Sequence, residues 1–134
     1  MGEKKIKSNK KGFNGLTPTE WTKLSRSVWN DVSSQREWYH LEHGATFSAA
    51  LAERAIKMYT KEGDLVLDIF LGVGSTLIAA KKLNREGIGL ELYKKFADIS
   101  TDLLSQKELF SKYEQKVIND DCRNLLEYVK PNTV

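Results

Sequence analysis

The chain has 134 residues, of which 40% are hydrophobic and 29% are charged, and its net charge is +3 at pH 7. This length predicts one domain with a hydrophobic core, and the composition is typical of a soluble globular protein. No apolar run approaches the length of a membrane span, and the polar start does not resemble a signal peptide. The single cysteine, Cys122, excludes an internal disulfide and a cysteine-rich zinc site. We therefore expect a cytoplasmic protein with no bound metal and no membrane partner.

Lysines are concentrated at the start of the chain, where residues 1–11 contain five of them and one acidic residue, Glu3. Such a segment can neutralise nucleic-acid phosphates, although it is also typical of a solvated terminus. We predict a basic, flexible arm over residues 1–16. We predict a single α/β domain over residues 17–134.

The first helix begins with a strong set of signals. Thr17 is a favourable N-cap, Pro18 suits the first helical position, and Glu20 completes a capping box. Apolar residues then recur at helical spacing, which predicts a helix to about Val32. A polar stretch over residues 33–37 leads into residues 38–44, which have no clear period and are expected to form a loop.

Two sets of side chains in this first part of the chain could bind a ligand. His40 and His43 could form a metal pair, but two histidines in an aperiodic loop without cysteine partners are a weak signal. Four aromatic residues could stack on a nucleic-acid base, although such residues more often pack a core or cover a sheet. These four are Trp21, Trp29, Trp38 and Tyr39.

From residue 48 onward, helices alternate with short apolar strands. Helices are expected at about 48–62, 75–83, 93–113 and 123–129, and strands at 64–70, 87–91 and 116–119. This alternation is typical of a doubly wound, largely parallel sheet. Because only three strands are present, we expect the sheet to be incomplete.

The turn after the first of these strands is the expected ligand site, since open parallel sheets bind ligands beyond the carboxyl ends of their strands. Gly72 and Gly74 permit a tight turn and a close approach of a ligand to the backbone. Ser75 and Thr76 open a helix whose free N–H groups attract a negative group. Leu77 stands where a dinucleotide site has its third glycine, which argues against a dinucleotide.

An acidic residue, Glu91, ends the second strand. A carboxylate at this position can accept hydrogen bonds from both ribose hydroxyls of an adenosyl group. The glycine turn and Glu91 together therefore predict an adenosyl ligand, while a tight turn beside a surface glutamate is the plainer alternative.

The residues of this turn carry a family resemblance. Residues 68–76 (DIFLGVGST) resemble the D-P-F-x-G-x-G-T-T signature of DNA methyltransferases that modify the exocyclic amino group of adenine or cytosine. Ile69 replaces the usual proline, and Ser75 replaces threonine. The resemblance implies a Rossmann-like, S-adenosylmethionine-dependent methyltransferase fold and S-adenosylmethionine as the cofactor.

Three further segments resemble the same family. Residues 43–54 (HGATFSAALAER) resemble its H-P-A-x-F-P-x-x-L-x-x-R segment, with Gly44 and Ser48 in place of both prolines. Residues 89–93 (GLELY) resemble G-I-E-x-N, and residues 120–126 (DDCRNLL) resemble G-D-A-x-x-L-L. The cofactor site that the resemblance implies consists of His43, Ala45, Phe47, Asp68, Phe70, Gly72, Gly74, Ser75, Thr76, Glu91, Asp121 and Cys122.

The resemblance also implies a role for the parts of this site. The segment that begins at His43 closes over the methionine part of the cofactor, and Glu91 binds the ribose. Asp121 contacts the adenine amino group, and the Cys122 backbone lies beside the ring. Because Asp120 stands where glycine is usual, either acid could make this contact, or simply cap the last helix.

The catalytic segment of the family, S/N/D-P-P-Y/F/W, has no counterpart, since the only prolines are Pro18 and Pro131. We therefore expect no catalytic residue here. The chain is expected to be the cofactor-binding fragment of a site-specific DNA methyltransferase (N6-adenine or N4-cytosine), inactive alone and acting on double-stranded DNA through the complete enzyme. The alternatives are a non-catalytic S-adenosylmethionine-binding subunit paired with a separate catalytic chain, and a nucleotide-binding module such as a dehydrogenase fragment.

Overall fold

The computed structural model describes residues 10–32, 37–106 and 111–134. Residues 1–9, which hold most of the predicted basic arm, lie outside the described residues. The elements in chain order are α1 (Pro18–Leu24), α2 (Trp38–His43), α3 (Ala49–Tyr59), β1 (Leu65–Asp68), α4 (Ser75–Lys82), β2 (Glu86–Leu90), α5 (Lys94–Ser105), β3 (Gln115–Ile118) and a 3₁₀-helix (Cys122–Glu127). Within the described ranges, no helix has both the length and the apolar character needed to cross a membrane.

Two predictions for the residues before α3 are wrong. α1 has the expected capping box, but it ends at Leu24 and not near Val32. None of its residues is buried, so no apolar face holds a longer helix against the core. The expected loop at 38–44 contains the short helix α2, which ends at Gly44 in the left-handed conformation, with φ 74°. Six residues are too few to show a helical period.

Two predictions near the end of the chain need correction as well. α5 ends at Ser105 and not at Tyr113, and residues 107–110 of the expected helix lie outside the described residues. The expected short helix at the end is a 3₁₀-helix, and it ends at Glu127 and not at Val129.

The three strands form a parallel sheet in the order β1-β2-β3. This sequential order, with a helix between each pair of strands, is that of one half of a doubly wound sheet and confirms the predicted fold class. Helices α3, α4 and α5 pack on one face of the sheet, and their apolar side chains form the core. Gly87 and Gly89 lie on this face. A Cβ added at Gly87 would overlap Gln115 Oε1 and lie 2.6 Å from Leu77 Cδ2, and one added at Gly89 would lie 2.7 Å from Leu71 Cδ2, so any larger residue would force these side chains to move.

Arg54, on α3, fixes the end of α1 and the segment that follows it. Its side chain is buried, and its Nε donates to the Leu24 carbonyl at 2.9 Å. One guanidinium nitrogen lies 2.7 Å from Asp31 Oδ1, and the guanidinium carbon lies 4.6 Å from the centre of the Trp29 ring. Trp29, which was expected on the apolar face of a long helix, therefore packs under a cation instead.

Replacing Arg54 by alanine is expected to lower the free energy of unfolding by about 2–3 kcal/mol, because the carbonyl groups and Asp31 lose a buried, planar donor. Arg54→Lys should restore little of this loss, since an ammonium group cannot match the geometry of the guanidinium. Urea denaturation measures both variants. The exposed Arg26 gives the matched control Arg26→Ala, for which a loss as large as that of Arg54→Ala would contradict the assignment.

Candidate cofactor site at the strand ends

The turn between β1 and α4 is held in place by hydrogen bonds from both sides. Asp68 Oδ1 accepts from the Phe70 N–H at 3.0 Å, at the point where β1 ends. Gly72 and Gly74 have φ values of 59° and 93°, which non-glycine residues rarely adopt. Ser100, on α5, is fully buried and donates to the Gly72 carbonyl at 2.8 Å. Ser100 was not predicted to belong to this site, because nothing in the local sequence pattern indicates a contact with a turn 28 residues away.

Glu91 joins this turn to the end of β2. Its side chain is buried, and Oε2 accepts from the Gly72 N–H at 2.8 Å while Oε1 accepts from the Tyr93 N–H at 2.9 Å. Each carboxylate oxygen has two lone pairs, so each can accept one further hydrogen bond. Glu91 therefore fixes the turn and can still accept from a pair of neighbouring hydroxyl groups.

A cleft of about 340 Å³ opens beyond the carboxyl ends of all three strands. This volume lies within the range of small-molecule sites, which is roughly 300–1,000 Å³. The cleft contains four residues of the predicted site: Phe70, Glu91, Asp121 and Cys122. It also contains Asp120, which was expected as the alternative to Asp121, and four residues that were not predicted for this site: Ile69, Leu92, Tyr93 and Arg123. Each of these four lies within two residues of a predicted one, in a segment that follows a strand, and this position was the available signal.

Asp120 and Asp121 both stabilise the 3₁₀-helix, but they do so through different hydrogen bonds. Asp121 is its N-cap and accepts from the Arg123 N–H at 2.9 Å and from the Arg123 guanidinium at 2.6 Å. Asp120 accepts from the Tyr128 hydroxyl at 2.6 Å, and this bond lowers the pKa of the Asp120 carboxyl. Both acids thus stabilise this helix, and both line the cleft.

The hydrogen bond from the Arg123 side chain lowers the pKa of Asp121 from the usual 3.8 to about 2. Because the folded-state pKa lies below the unfolded one, the stabilisation is complete above pH 3.8 and is lost as the pH falls through 2. Arg123→Ala should raise the pKa of Asp121 toward 3.8, which carbon-detected NMR titration of the carboxyl measures. An unchanged pKa in that variant would contradict this cause.

The loop before α3 lies against the other side of the glycine turn. The His43 ring packs on Phe96 with 4.4 Å between ring centres, and His43 Nε2 lies 3.5 Å from the position of a Cβ at Gly72. The Phe47 carbonyl accepts from the Ser75 hydroxyl at 2.8 Å, and the Phe47 side chain is 45% exposed. The structure therefore brings His43 and Phe47 to the turn, with Ala45 exposed between them.

Other residues that the sequence predicted to bind a ligand are not among those that line the cleft. Thr76 is half-buried in the first turn of α4. Trp21 and Trp38 are exposed and neither lines the strand-end cleft. Among residues 10–32, 37–106 and 111–134, no group of three or more His, Cys, Asp or Glu side chains could hold a metal ion.

The parallel sheet, the glycine turn after β1 and the buried acid after β2 together define an α/β protein with a site suited to an adenosyl ligand. A family model described as DNA methylase matches residues 2–102. The chain belongs to this DNA methylase family, which confirms the resemblance found in the sequence.

Similar proteins include two type II methyltransferases. M.BglI from Bacillus subtilis is 37% identical over 92 residues, which cover 64% of this chain and 26% of that protein. M.MthZI from Methanothermobacter thermautotrophicus is 38% identical over 109 residues, which cover 75% of this chain and 30% of that protein. The chain therefore spans less than a third of the length of either relative.

A solved structure with a similar fold is that of a DNA modification methylase from Thermus thermophilus, TTHA0409, described as putative and solved in complex with S-adenosyl-L-methionine. It is 28% identical to this chain, with a TM-score of 0.62, and the match covers 80% of this chain and 40% of that one.

Proposed function

We propose that this chain binds S-adenosylmethionine and forms the cofactor-holding portion of a DNA methyltransferase that modifies N6 of adenine or N4 of cytosine. The observation that carries the proposal is the placement of Glu91, buried at the end of β2, with acceptor capacity left on both oxygens beside a cleft. The solved complex of TTHA0409 supports the choice of ligand.

The cleft residues fit the adenosyl part of this cofactor. Glu91 would accept from the two ribose hydroxyls, and Asp121 with the Cys122 backbone would bind the adenine. Phe70 presents an exposed ring at the cleft, which gives an apolar surface for the base or the ribose. Arg123, which is paired with Asp121 and largely exposed, would shift when the adenine amino group takes its place.

The residues of the loop before α3 fit the amino-acid end of the cofactor. His43, Ala45 and Phe47 would lie along the methionine part, beside the turn formed by Gly72 and Gly74. When bound, S-adenosylmethionine supplies a methyl group on sulfonium sulfur to an incoming amino nitrogen. In this proposal the residues of this chain hold and orient the cofactor, and the base is presented by other residues.

The base itself must leave the DNA helix and be held by its amino group, usually against an aromatic ring. The family resemblance assigns these tasks to a Pro-Pro-containing segment, for which this sequence offers no residues. We propose that double-stranded DNA is bound by the complete enzyme, with this segment on a further part of the chain or on a partner chain.

Isothermal titration of the chain with S-adenosylmethionine and, separately, with NAD tests the cofactor. We expect saturable binding of S-adenosylmethionine and none of NAD. Folded protein that binds neither ligand, or that binds NAD alone, would overturn the proposal, and the second result would favour a dehydrogenase fragment.

A methylation assay with the chain alone tests the division of tasks. Radioactive methyl groups from S-adenosylmethionine should not enter unmethylated double-stranded DNA. Incorporation that is lost in a variant unable to bind the cofactor would show that this chain carries its own catalytic residues.

A further inference from the structure

Three hydrogen bonds connect α2, the loop before α3 and the first residue of α4. The Glu37 N–H lies 2.9 Å from His40 Nδ1, and His40 Nε2 lies 3.3 Å from Ser75 Oγ. Ser75 Oγ in turn lies 2.8 Å from the Phe47 carbonyl oxygen. The His40 side chain is 3% exposed, so these contacts are shielded from water.

The donor and the acceptor in each of these three hydrogen bonds follow from the backbone groups at Glu37 and Phe47. A backbone N–H can only donate, so His40 Nδ1 accepts and carries no proton. A neutral imidazole must then carry its proton on Nε2, which donates to Ser75 Oγ. A carbonyl can only accept, so the Ser75 hydroxyl gives its single proton to Phe47. The three bonds therefore point in one direction, from Glu37 to Phe47.

We propose that His40 and Ser75 are positioning residues for the methionine end of S-adenosylmethionine. This inference rests on the proposed function, since it assigns these residues to the same site. Ser75 was expected to contact the cofactor, but its only proton is used to hold the backbone of Phe47. His40 orients that hydroxyl, and the Gly44 N–H bonds to the His40 carbonyl at 3.1 Å, so both ends of the loop from Gly44 to Ser48 are held.

A second feature supports a positioning role over a purely structural one. Ser75 is the first residue of α4 and directly follows the glycine turn, so the bond to Phe47 sets the loop against the turn. The Phe47 ring nevertheless remains exposed and does not belong to the core. The hydrogen bonds thus fix the backbone of a residue whose side chain is left available for a ligand.

Determining the tautomer of His40 tests these hydrogen bonds directly and requires no cofactor. Long-range proton–nitrogen NMR near neutral pH should show the proton of His40 on Nε2 in the wild-type chain. Ser75→Ala removes the acceptor and should shift or broaden that signal. A proton on Nδ1, or a spectrum unaffected by Ser75→Ala, would overturn the assignment.

Cofactor affinity tests the role in binding. His40→Leu and Ser75→Ala should each weaken S-adenosylmethionine binding by about tenfold, which is the effect of one such hydrogen bond. The double variant should be no weaker than either single one, since both remove the same connection. His40→Gln places an N–H donor near the position of Nε2 and should recover most of the affinity.

Thr101→Ala is the matched control, because it deletes an exposed hydroxyl on α5 that bonds to the Ala97 carbonyl of its own helix. It should leave the affinity unchanged. Additive losses in the double variant, or no rescue by His40→Gln, would overturn the positioning role. If the wild-type chain binds no S-adenosylmethionine, the proposed function fails, and the NMR result separately decides whether the hydrogen bonds exist.

Discussion

Glu91→Ala is expected to weaken S-adenosylmethionine binding by at least about 100-fold, since hydrogen bonds to a charged group contribute roughly 1.5–3 kcal/mol each and two are lost. The same change leaves the Gly72 N–H without its acceptor in a buried position. We therefore expect a lower melting temperature as well. Isothermal titration and differential scanning calorimetry measure the two effects separately.

Glu91→Gln distinguishes binding from folding, because it keeps the shape of the side chain and one acceptor oxygen. This variant should be more stable than Glu91→Ala and should still bind the cofactor poorly, since an amide NH₂ cannot accept from a hydroxyl. Glu86→Ala, at the exposed opposite end of β2, is the matched control and should bind normally. Affinity close to that of wild type in both Glu91 variants would disprove the role of this carboxylate.

Gly74→Val is expected to lower the free energy of unfolding by at least about 4 kcal/mol, a large share of the stability of a domain of this size. The φ of 93° is unfavourable for a β-branched residue. An added Cβ would also lie 3.1 Å from Ser100 Oγ and 3.2 Å from Ser100 Cβ, so the bond from Ser100 to the Gly72 carbonyl could not persist unchanged.

Gly15→Val separates the backbone effect from the contact with Ser100. Gly15 has a similar φ of 77°, but an added Cβ would meet nothing within 4 Å. Its cost should be limited to backbone strain, on the order of 1–3 kcal/mol. Equal losses of stability in urea denaturation of the two variants would show that Ser100 does not hold the turn.

The sequence predicted the strands and the glycine turn well because their signals are local. Short apolar runs, glycines at 72 and 74 and the acid at 91 each have a physical meaning that depends on few neighbours. The family resemblance then supplied residues that spacing alone does not reveal, such as Asp121 and Cys122. Both of these line the cleft, as do Phe70 and Glu91.

The parts that could not be predicted depend on contacts between distant residues. α1 has no buried residue that would favour a longer helix, and Arg54 holds its last turn and the segment beyond it through contacts 23 to 31 residues away. α2 forms where a loop was expected, with its first turn fixed by His40. Ser100 holds the glycine turn, and His40 helps to hold the loop before α3. Both act through side-chain hydrogen bonds, which a periodic sequence pattern does not indicate.

The order of the strands has a consequence for how the chain acquires its structure. Each strand pairs with the next one along the sequence, as Leu65 does with Glu86 and Gly87 with Gln115. Pairing between consecutive strands needs only the two strands and the helix between them, and it closes a shorter loop than pairing between strands that are farther apart in sequence. On a ribosome, β1 and β2 can therefore pair once β2 has emerged, and the glycine turn and Glu91 can meet before β3 has emerged.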